Sequence, residues 1–205
     1  RTGYPFCYPM PQEPCEDYSP ICCYIEPAES PINDALNGEE GVYPLILTSG
    51  RVPYFHHGTM RHAAFSRELF PTAECRMNPV DAAARGIEHM DWVKVTSRRG
   101  EIHARAYLTE GVAPGVVWQE RYWNPECFDD SQEKITGGWQ ECNVNVLTKN
   151  SAPFNEVYGS YTNRGFTVQV EKSTRPANIW VEPEDFAPFM PTEAMKAEPQ
   201  TGDVF

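Results

Sequence analysis

The sequence predicts a mainly β fold with short helices, in which the strands close or nearly close into a barrel. Three observations carry that prediction. Several short runs alternate apolar and polar residues in the manner of half-buried strands. Glycine-containing turns separate them. Only one or two short helices are indicated between them.

The elements follow in order. Tyr43-Pro44-Leu45-Ile46-Leu47-Thr48 is an apolar, β-prone run ended by Ser49-Gly50, and it reads as a buried strand. Gly50-Arg51 opens a loop that holds His56, His57, Gly58, Thr59, Met60 and Arg61. A helix is expected from Arg61 to Phe70, stopping before Pro71. Asn78-Pro79-Val80-Asp81 is a helix start, with Asn78 as cap, Pro79 at the first helical position and Asp81 in the first turn. Ala82-Ala83-Ala84-Arg85 continues it, and Gly86 supplies the left-handed stop. Trp92–Thr96 and Ile102–Leu108 alternate around the turn Ser97-Arg98-Arg99-Gly100 and predict a hairpin. Gly115–Gln119 follows the Pro114-Gly115 turn as another strand, and Gly165–Glu171 is the last. No internal repeat marks a solenoid.

The 205 residues carry a formal net charge of −12, distributed unevenly. Residues 1–50 hold one basic and eight acidic side chains, residues 51–121 ten basic and eight acidic, and residues 122–205 six and thirteen. All five histidines lie in the slightly basic centre. The acidic total argues against a nucleic-acid partner. No run of 18 apolar residues is present, so no membrane-spanning helix is expected. The first residue is Arg, and no charged-then-apolar leader is visible. Seven prolines within residues 1–31 exclude a long helix there. Residues 1–40 therefore read as an acidic arm or linker, with Tyr4, Phe6, Tyr8, Tyr18 and Tyr24 as docking points. Residues 41–175 read as the barrel. Residues 176–205 read as an acidic extension that docks through Trp180, Phe186, Phe189 and Phe205. Seven cysteines without a CxxC, two of them the adjacent Cys22-Cys23, fit buried or free thiols better than a metal site.

No G-x-S-x-G, H-E-x-x-H, Walker A or strand-linked G-x-G-x-x-G motif is present. What remains is an anion-binding constellation. Thr48-Ser49-Gly50-Arg51 puts small, flexible backbone and a guanidinium at a strand end, where N–H groups approach a phosphate and Arg binds it bidentately. His57, Thr59 and Arg61 add donors downstream. Asn78 and Asp81 offer an amide and a carboxylate, and a carboxylate is the natural acceptor for the donor edge of guanine. The residues alone leave the alternative open that Asp81 serves only the helix dipole and Arg51 only an ion pair.

These words together resemble a known family. Tyr43 to Cys127 is similar to the C-terminal, molybdopterin-dinucleotide-binding domain of the dimethyl sulfoxide reductase family of molybdenum and tungsten oxidoreductases. The matching segments are Tyr43–Arg51, His57–Met60, Met77–Ile87, Asp91–Val95, Ser97–Gly100 and Gly111–Val117. Asn143–Thr148 resembles the family's late cofactor-contacting segment, Gly165–Lys172 its final strand, and Tyr24–Pro31 the approach to the domain. The resemblance implies a double-psi β-barrel holding a molybdopterin guanine dinucleotide, present as a bis(dinucleotide) pair with molybdenum or tungsten in a complete enzyme. It implies that Thr48, Ser49, Gly50, Arg51, His57, Thr59 and Met60 line the pyrophosphate and pterin side. Asn78 and Asp81 would face guanine, and Trp118, Gln119, Asn143 and Asn145 would close over the pterin.

In this family the protein ligand to the metal, and any iron–sulfur cysteines, lie in earlier domains. The expected function is therefore cofactor binding within a longer catalytic subunit, with this stretch inactive by itself. The expected partners are the remaining domains and an electron-transfer subunit. The competing reading is a non-enzymatic barrel used for interaction without a cofactor, which a failure of Gly50, Asn78 and Asn143 to converge on one cleft would favour. A barrel hydrolase or decarboxylase would need a nucleophile–base pair that the sequence does not show.

Overall fold

A computed structural model of the chain describes residues 24, 26–60, 64–70, 72–121, 126–128, 135–137, 142–151, 161 and 163–176. Helix α1 (Pro31–Leu36) precedes strand β1 (Leu45–Gly50), helix α2 (Ala64–Leu69), β2 (Glu74–Met77) and α3 (Pro79–Ala83). Then come β3 (Trp92–Thr96), β4 (Glu101–Leu108), β5 (Val116–Glu120) and the pair β6 (Glu126–Phe128) and β7 (Ile135–Gly137). A 3-10 turn (Val144–Val146) and β8 (Phe166–Lys172) complete the order.

Six strands close a double-psi barrel in the order β1-β5-β2-β4-β3-β8. β1 with β5 and β2 with β4 run parallel, and the other neighbours run antiparallel. Parallel neighbours cannot be joined by a hairpin, so the chain crosses the barrel ends in long connections. The same directions divide the barrel into two rims. The upper rim gathers the C-terminal ends of β1, β3 and β5 with the N-terminal ends of β2, β4 and β8. The lower rim gathers the opposite ends.

The core follows the period of two. Leu45 and Leu47, Cys75 and Met77, Val93 and Val95, Ile102 with Ala104 and Ala106, Val117, and Phe166 with Val168 and Val170 are buried from the six strands. Burial pushes the Cys75 thiol up to about 12, so it stays protonated and inert. Cys142 is a second buried thiol. Cys7, Cys15, Cys22 and Cys23 lie outside the described residues.

The hairpin forms as the alternation predicts, with Val93 opposite Ala104 and Val95 opposite Ile102. Asn78 caps α3, its Oδ1 accepting from the Val80 N–H at 3.0 Å, and Gly86 takes φ 63°. The first strand runs two residues later than Tyr43–Thr48, and ladder bonds to β5 carry it through Gly50. Of the helix expected from Arg61 to Phe70, residues 64–69 are helical, while residues 61–63 lie outside the described residues. β2 is a finding the sequence did not signal, because only Cys75 and Met77 of its four residues face the core. α1 sits within the proline-rich stretch because Pro31 takes the first helical position and the Ser30 hydroxyl caps the Asn33 N–H at 3.2 Å. Tyr24 is exposed, whereas Ser30 and Asp34 are buried, so among the described residues polar groups hold this stretch. Tyr4, Phe6, Tyr8 and Tyr18 lie outside the described residues, as do Trp180, Phe186, Phe189 and Phe205. Among the described residues no helix is long and apolar enough to cross a membrane.

Candidate functional site

The parallel β1–β5 pair builds the upper rim. Thr48 pairs with Trp118, Ser49 with Gln119 and Gly50 with Glu120. Neighbours along a strand face opposite ways, so Trp118 lies on the outer face and Gln119 points into the barrel. Trp118 packs directly over Gly50, where an added Cβ would lie 2.2 Å from the indole Nε1. The Arg76 guanidinium stacks on the same indole, 4.6 Å from a ring centroid, and pairs with Glu74 at 3.0 Å. Inside, Gln119 lies between Ser49 and Cys75 in register. It is fully buried, and among the described residues neither its amide nitrogen nor its amide oxygen has a hydrogen-bond partner. An unsatisfied buried amide costs about 1–3 kcal/mol and demands an explanation.

The loop after β1 lies beside this rim. Val52 and Phe55 anchor it in the core, and Phe55 packs edge-on against Phe70 with centroids 5.9 Å apart. Arg51, Thr59 and Met60 are exposed, and His57 is half-buried. Arg51 Nη1 lies 3.4 Å from His57 Nε2, and the His56 and His57 rings meet edge-on at 4.9 Å. The Thr59 N–H donates to the His56 carbonyl at 3.0 Å, and the Thr59 hydroxyl donates to the same oxygen. His57 and Met60 take positive φ values of 55° and 65°. Partial burial, followed by the charges of Arg51, His56 and Arg121, holds the His57 imidazole below its ordinary pKa. The loop thus offers a guanidinium beside an imidazole whose charged form is disfavoured. Arg61, read as a further donor here, lies outside the described residues.

Asn78 and Asp81 stand at the lower rim, about 17 Å away along the five steps of β1 at 3.3–3.4 Å each. Both tie α3 to the loop before β5. Asn78 Nδ2 donates to the Val112 carbonyl at 2.8 Å, and the Gly115 N–H donates to Asp81 Oδ2 at 2.7 Å. Gly115 needs φ 81° to make that turn. Gly50 and Asn78 therefore do not share one end of the barrel.

Asn143 and Asn145 return to the upper rim. Asn143 Oδ1 accepts from the Asn145 N–H at 2.9 Å, which starts the 3-10 turn. The segment packs on the β3–β4 turn, where a Cβ at Gly100 would lie 2.9 Å from Val146. Arg99 of that turn holds it, while its neighbour Arg98 binds the segment before β1. Arg99 donates from Nε and Nη2 to the Leu147 carbonyl at 2.9 and 2.7 Å and forms a bidentate pair with Glu29 at 2.5 and 2.7 Å. Arg98 pairs with Asp34 at 2.9 Å and Glu39 at 2.6 Å and stacks on Tyr43. Glu29 lies 70 residues from Arg99, so local spacing carried no signal of the pair.

Residues 45–160 match the family described as "Molydopterin dinucleotide binding domain". The chain belongs to this family. Among curated relatives of this molybdopterin dinucleotide-binding domain, the dopamine dehydroxylase of Eggerthella lenta is 35% identical over 153 residues, covering 74% of this chain and 14% of its own length. The dimethyl sulfoxide reductase DmsA of Escherichia coli K12 is 35% identical over 159 residues, covering 75% of this chain and 17% of its own. The F420-dependent formate dehydrogenase subunit alpha of Methanocaldococcus jannaschii is 43% identical over 97 residues, covering 46% and 13%. The chain thus spans 13% to 17% of the length of these relatives. Among solved structures, acetylene hydratase from Pelobacter acetylenicus shares the fold, with a TM-score of 0.64 and 17% identity over 74% of this chain and 21% of that one.

The upper rim fits a molybdopterin group on chemical grounds. The buried Gln119 amide has a donor and an acceptor to offer and no partner among the described residues. Arg51 supplies a cation for a phosphate from the adjoining loop. Among the described residues no group of three or more His, Cys, Asp or Glu is placed to hold a metal ion.

Proposed function

We propose that this chain is the cofactor-holding part of a molybdenum or tungsten oxidoreductase subunit and binds a molybdopterin guanine dinucleotide lengthwise on the barrel. Residues 41–175 form the binding barrel, between an arm at 1–40 and an acidic extension at 176–205. The observation that carries the reading is the fully buried Gln119 amide without a partner at the rim that Gly50 and Arg51 border. Gly50 and Asn143 on one rim and Asn78 on the other do not converge on one cleft, which by itself favours the interaction barrel, and the family match outweighs it. A dinucleotide has a pterin at one end and a base at the other, so an extended pose reconciles the two rims. Thr48, Ser49, Gly50, Gln119, Asn143 and Asn145 border the pterin, with Trp118 supporting Gly50 from the outer face. Arg51, His57, Thr59 and Met60 take the pyrophosphate side. At the lower rim Asn78 and Asp81 face guanine, and Asp81 Oδ1 carries no hydrogen bond among the described residues. When bound, the group supplies metal-centred redox or oxygen-atom chemistry. The residues of this chain bind and orient it and perform no reaction by themselves. The remaining domains of the same subunit supply the metal ligand and any iron–sulfur cluster, and an electron-transfer subunit completes the enzyme.

Gln119→Leu tests this directly. Removing an unpaired buried amide is expected to leave the thermal midpoint of the cofactor-free chain unchanged or higher. The same change is expected to lower the cofactor content of the complete enzyme several-fold, as are Arg51→Ala and Asp81→Asn. Full cofactor content in all three variants would reject the site.

His57 gives a pH dependence. Its free-state pKa lies below the ordinary histidine value, and a phosphate group beside it favours the imidazolium. The bound state then holds more protons than the free state between the two pKa values. The ratio of native to His57→Gln affinity for inorganic pyrophosphate, in which the ligand's own ionisation cancels, is therefore expected to rise as pH falls through that window. Calorimetric titrations of both chains across pH check it; a ratio that does not change with pH removes His57 from the site.

A further inference from the structure

We propose that Arg99 and Glu29 are positioning residues that hold the 142–148 segment, and with it Asn143 and Asn145, in place on the upper rim. The Leu147 carbonyl ends the 3-10 turn, and it accepts from Arg99 Nε at 2.9 Å, Arg99 Nη2 at 2.7 Å and the Ser97 hydroxyl at 2.9 Å. Leu147 is fully buried, and no ladder bond joins its segment to the barrel. Its attachments among the described residues include this carbonyl and the packing of Cys142, Val144, Val146 and Leu147 on the core. Upstream of Leu147 the turn is organised by its own bonds, Asn143 Oδ1 to the Asn145 N–H and the Thr148 hydroxyl to the Asn145 carbonyl at 3.0 Å. The turn is thus a stiff unit, and the fastening at Leu147 sets how its asparagines stand relative to the β3–β4 turn.

Arg99 makes that fastening with one edge of its guanidinium and spends the other on Glu29. A guanidinium forks between a carbonyl and a carboxylate in one plane; an ammonium is a compact point charge without that planar, bidentate fork. Glu29 is fixed in turn, since its carbonyl accepts from the Thr167 N–H on β8 at 3.1 Å. Three segments remote in sequence therefore meet at one arginine: the approach at 26–40, the β3–β4 turn and the 142–148 segment. Arg99 touches no proposed ligand position and acts through the Leu147 carbonyl, which makes its role one of positioning. The consequence for function rests on the reading that Asn143 and Asn145 border the cofactor; the fastening itself does not.

Hydrogen–deuterium exchange and cofactor release, both measured on the holoenzyme, separate the two. In Arg99→Lys the peptide covering residues 142–148 is expected to exchange about tenfold faster, while peptides from β3 and β4 stay within about twofold of the native rates. An Arg99→Glu, Glu29→Arg exchange restores opposite charges but offers no donor from position 99 to the Leu147 carbonyl, so fast exchange at 142–148 should persist. Release of the pterin dinucleotide should quicken in Arg99→Lys, and likewise in Asn143→Ala and Asn145→Ala. Native exchange at 142–148 in Arg99→Lys, or equal acceleration throughout β3 and β4, overturns the positioning role. Fast exchange in Arg99→Lys with unchanged release in both asparagine variants upholds the fastening and rejects the cofactor contact at those asparagines.

Discussion

Replacing Gly50 with alanine is expected to destabilise the barrel by about 1–3 kcal/mol, the usual range for forcing carbon into a filled space, and to strip the enzyme of cofactor. The added Cβ would stand 2.2 Å from Trp118 Nε1 and 2.7 and 2.8 Å from two ring carbons. Contacts that short require the indole to move as a rigid ring. It is held by Arg76, which Glu74 holds in turn through Nε and Nη2, both at 3.0 Å. Displacing Trp118 therefore also breaks a cation–π stack worth about 0.5–1 kcal/mol at a partly exposed site. A double-mutant cycle isolates the cause. In a Trp118→Ala background the clash disappears, and Gly50→Ala should then cost little in denaturant unfolding. If it costs the same in both backgrounds, close packing of the indole is not why glycine stands there.

Asp34→Ala is expected to cost about 2–3 kcal/mol, below the full range for breaking a buried pair because Arg98 keeps a second partner. Asp34 is buried beneath α1, where its Oδ2 accepts from the Thr167 hydroxyl at 2.6 Å and its Oδ1 from Arg98 at 2.9 Å. The substitution leaves a buried hydroxyl and a largely covered guanidinium short of an acceptor. Glu39 binds the same arginine at 2.6 Å, but its side chain is 48% exposed. Glu39→Ala should therefore cost under about 1 kcal/mol, as exposed pairs do. Chemical denaturation of the two variants decides the matter. Equal, small losses would mean that the ion pairs merely decorate the surface and that α1 is held by something else.

The two predictions involve residues of different legibility. Gly50 is legible in the sequence as small, flexible backbone at a strand end, where N–H groups are expected to approach a phosphate. What approaches it in the structure is Trp118, through the Thr48–Trp118 and Gly50–Glu120 register of two strands that are not consecutive. Asp34 was not named, since it lay in a stretch whose prolines argued for an extended arm. The helix there is only six residues long, and its reason for existing is the barrel it lies against. β2 was missed for a related reason: four residues give too little alternation to register, and its place between β4 and β5 supplies the hydrogen bonds that make it a strand.

Alternation, caps and turn residues determined by themselves the hairpin, α3, the β-rich class and the motif order that carries the family, because each depends on side chains within a few positions of one another. The strand end at Gly50 and the cap at Asn78 were legible locally, whereas Gln119, Asn143 and Asn145 came only from the family resemblance. Tertiary closure decided the rest. It placed Asn78 and Asp81 at the end of the barrel away from Gly50. It turned Gln119 inward without a partner while Trp118 went outward, and it brought Glu29 and Asp34 onto Arg99 and Arg98 across some seventy residues. The physical reason is that strand order and register, unlike periodicity, are properties of pairs. Which carboxylate meets which guanidinium, and which buried amide is left unpaired, exists only once six strands have chosen their neighbours.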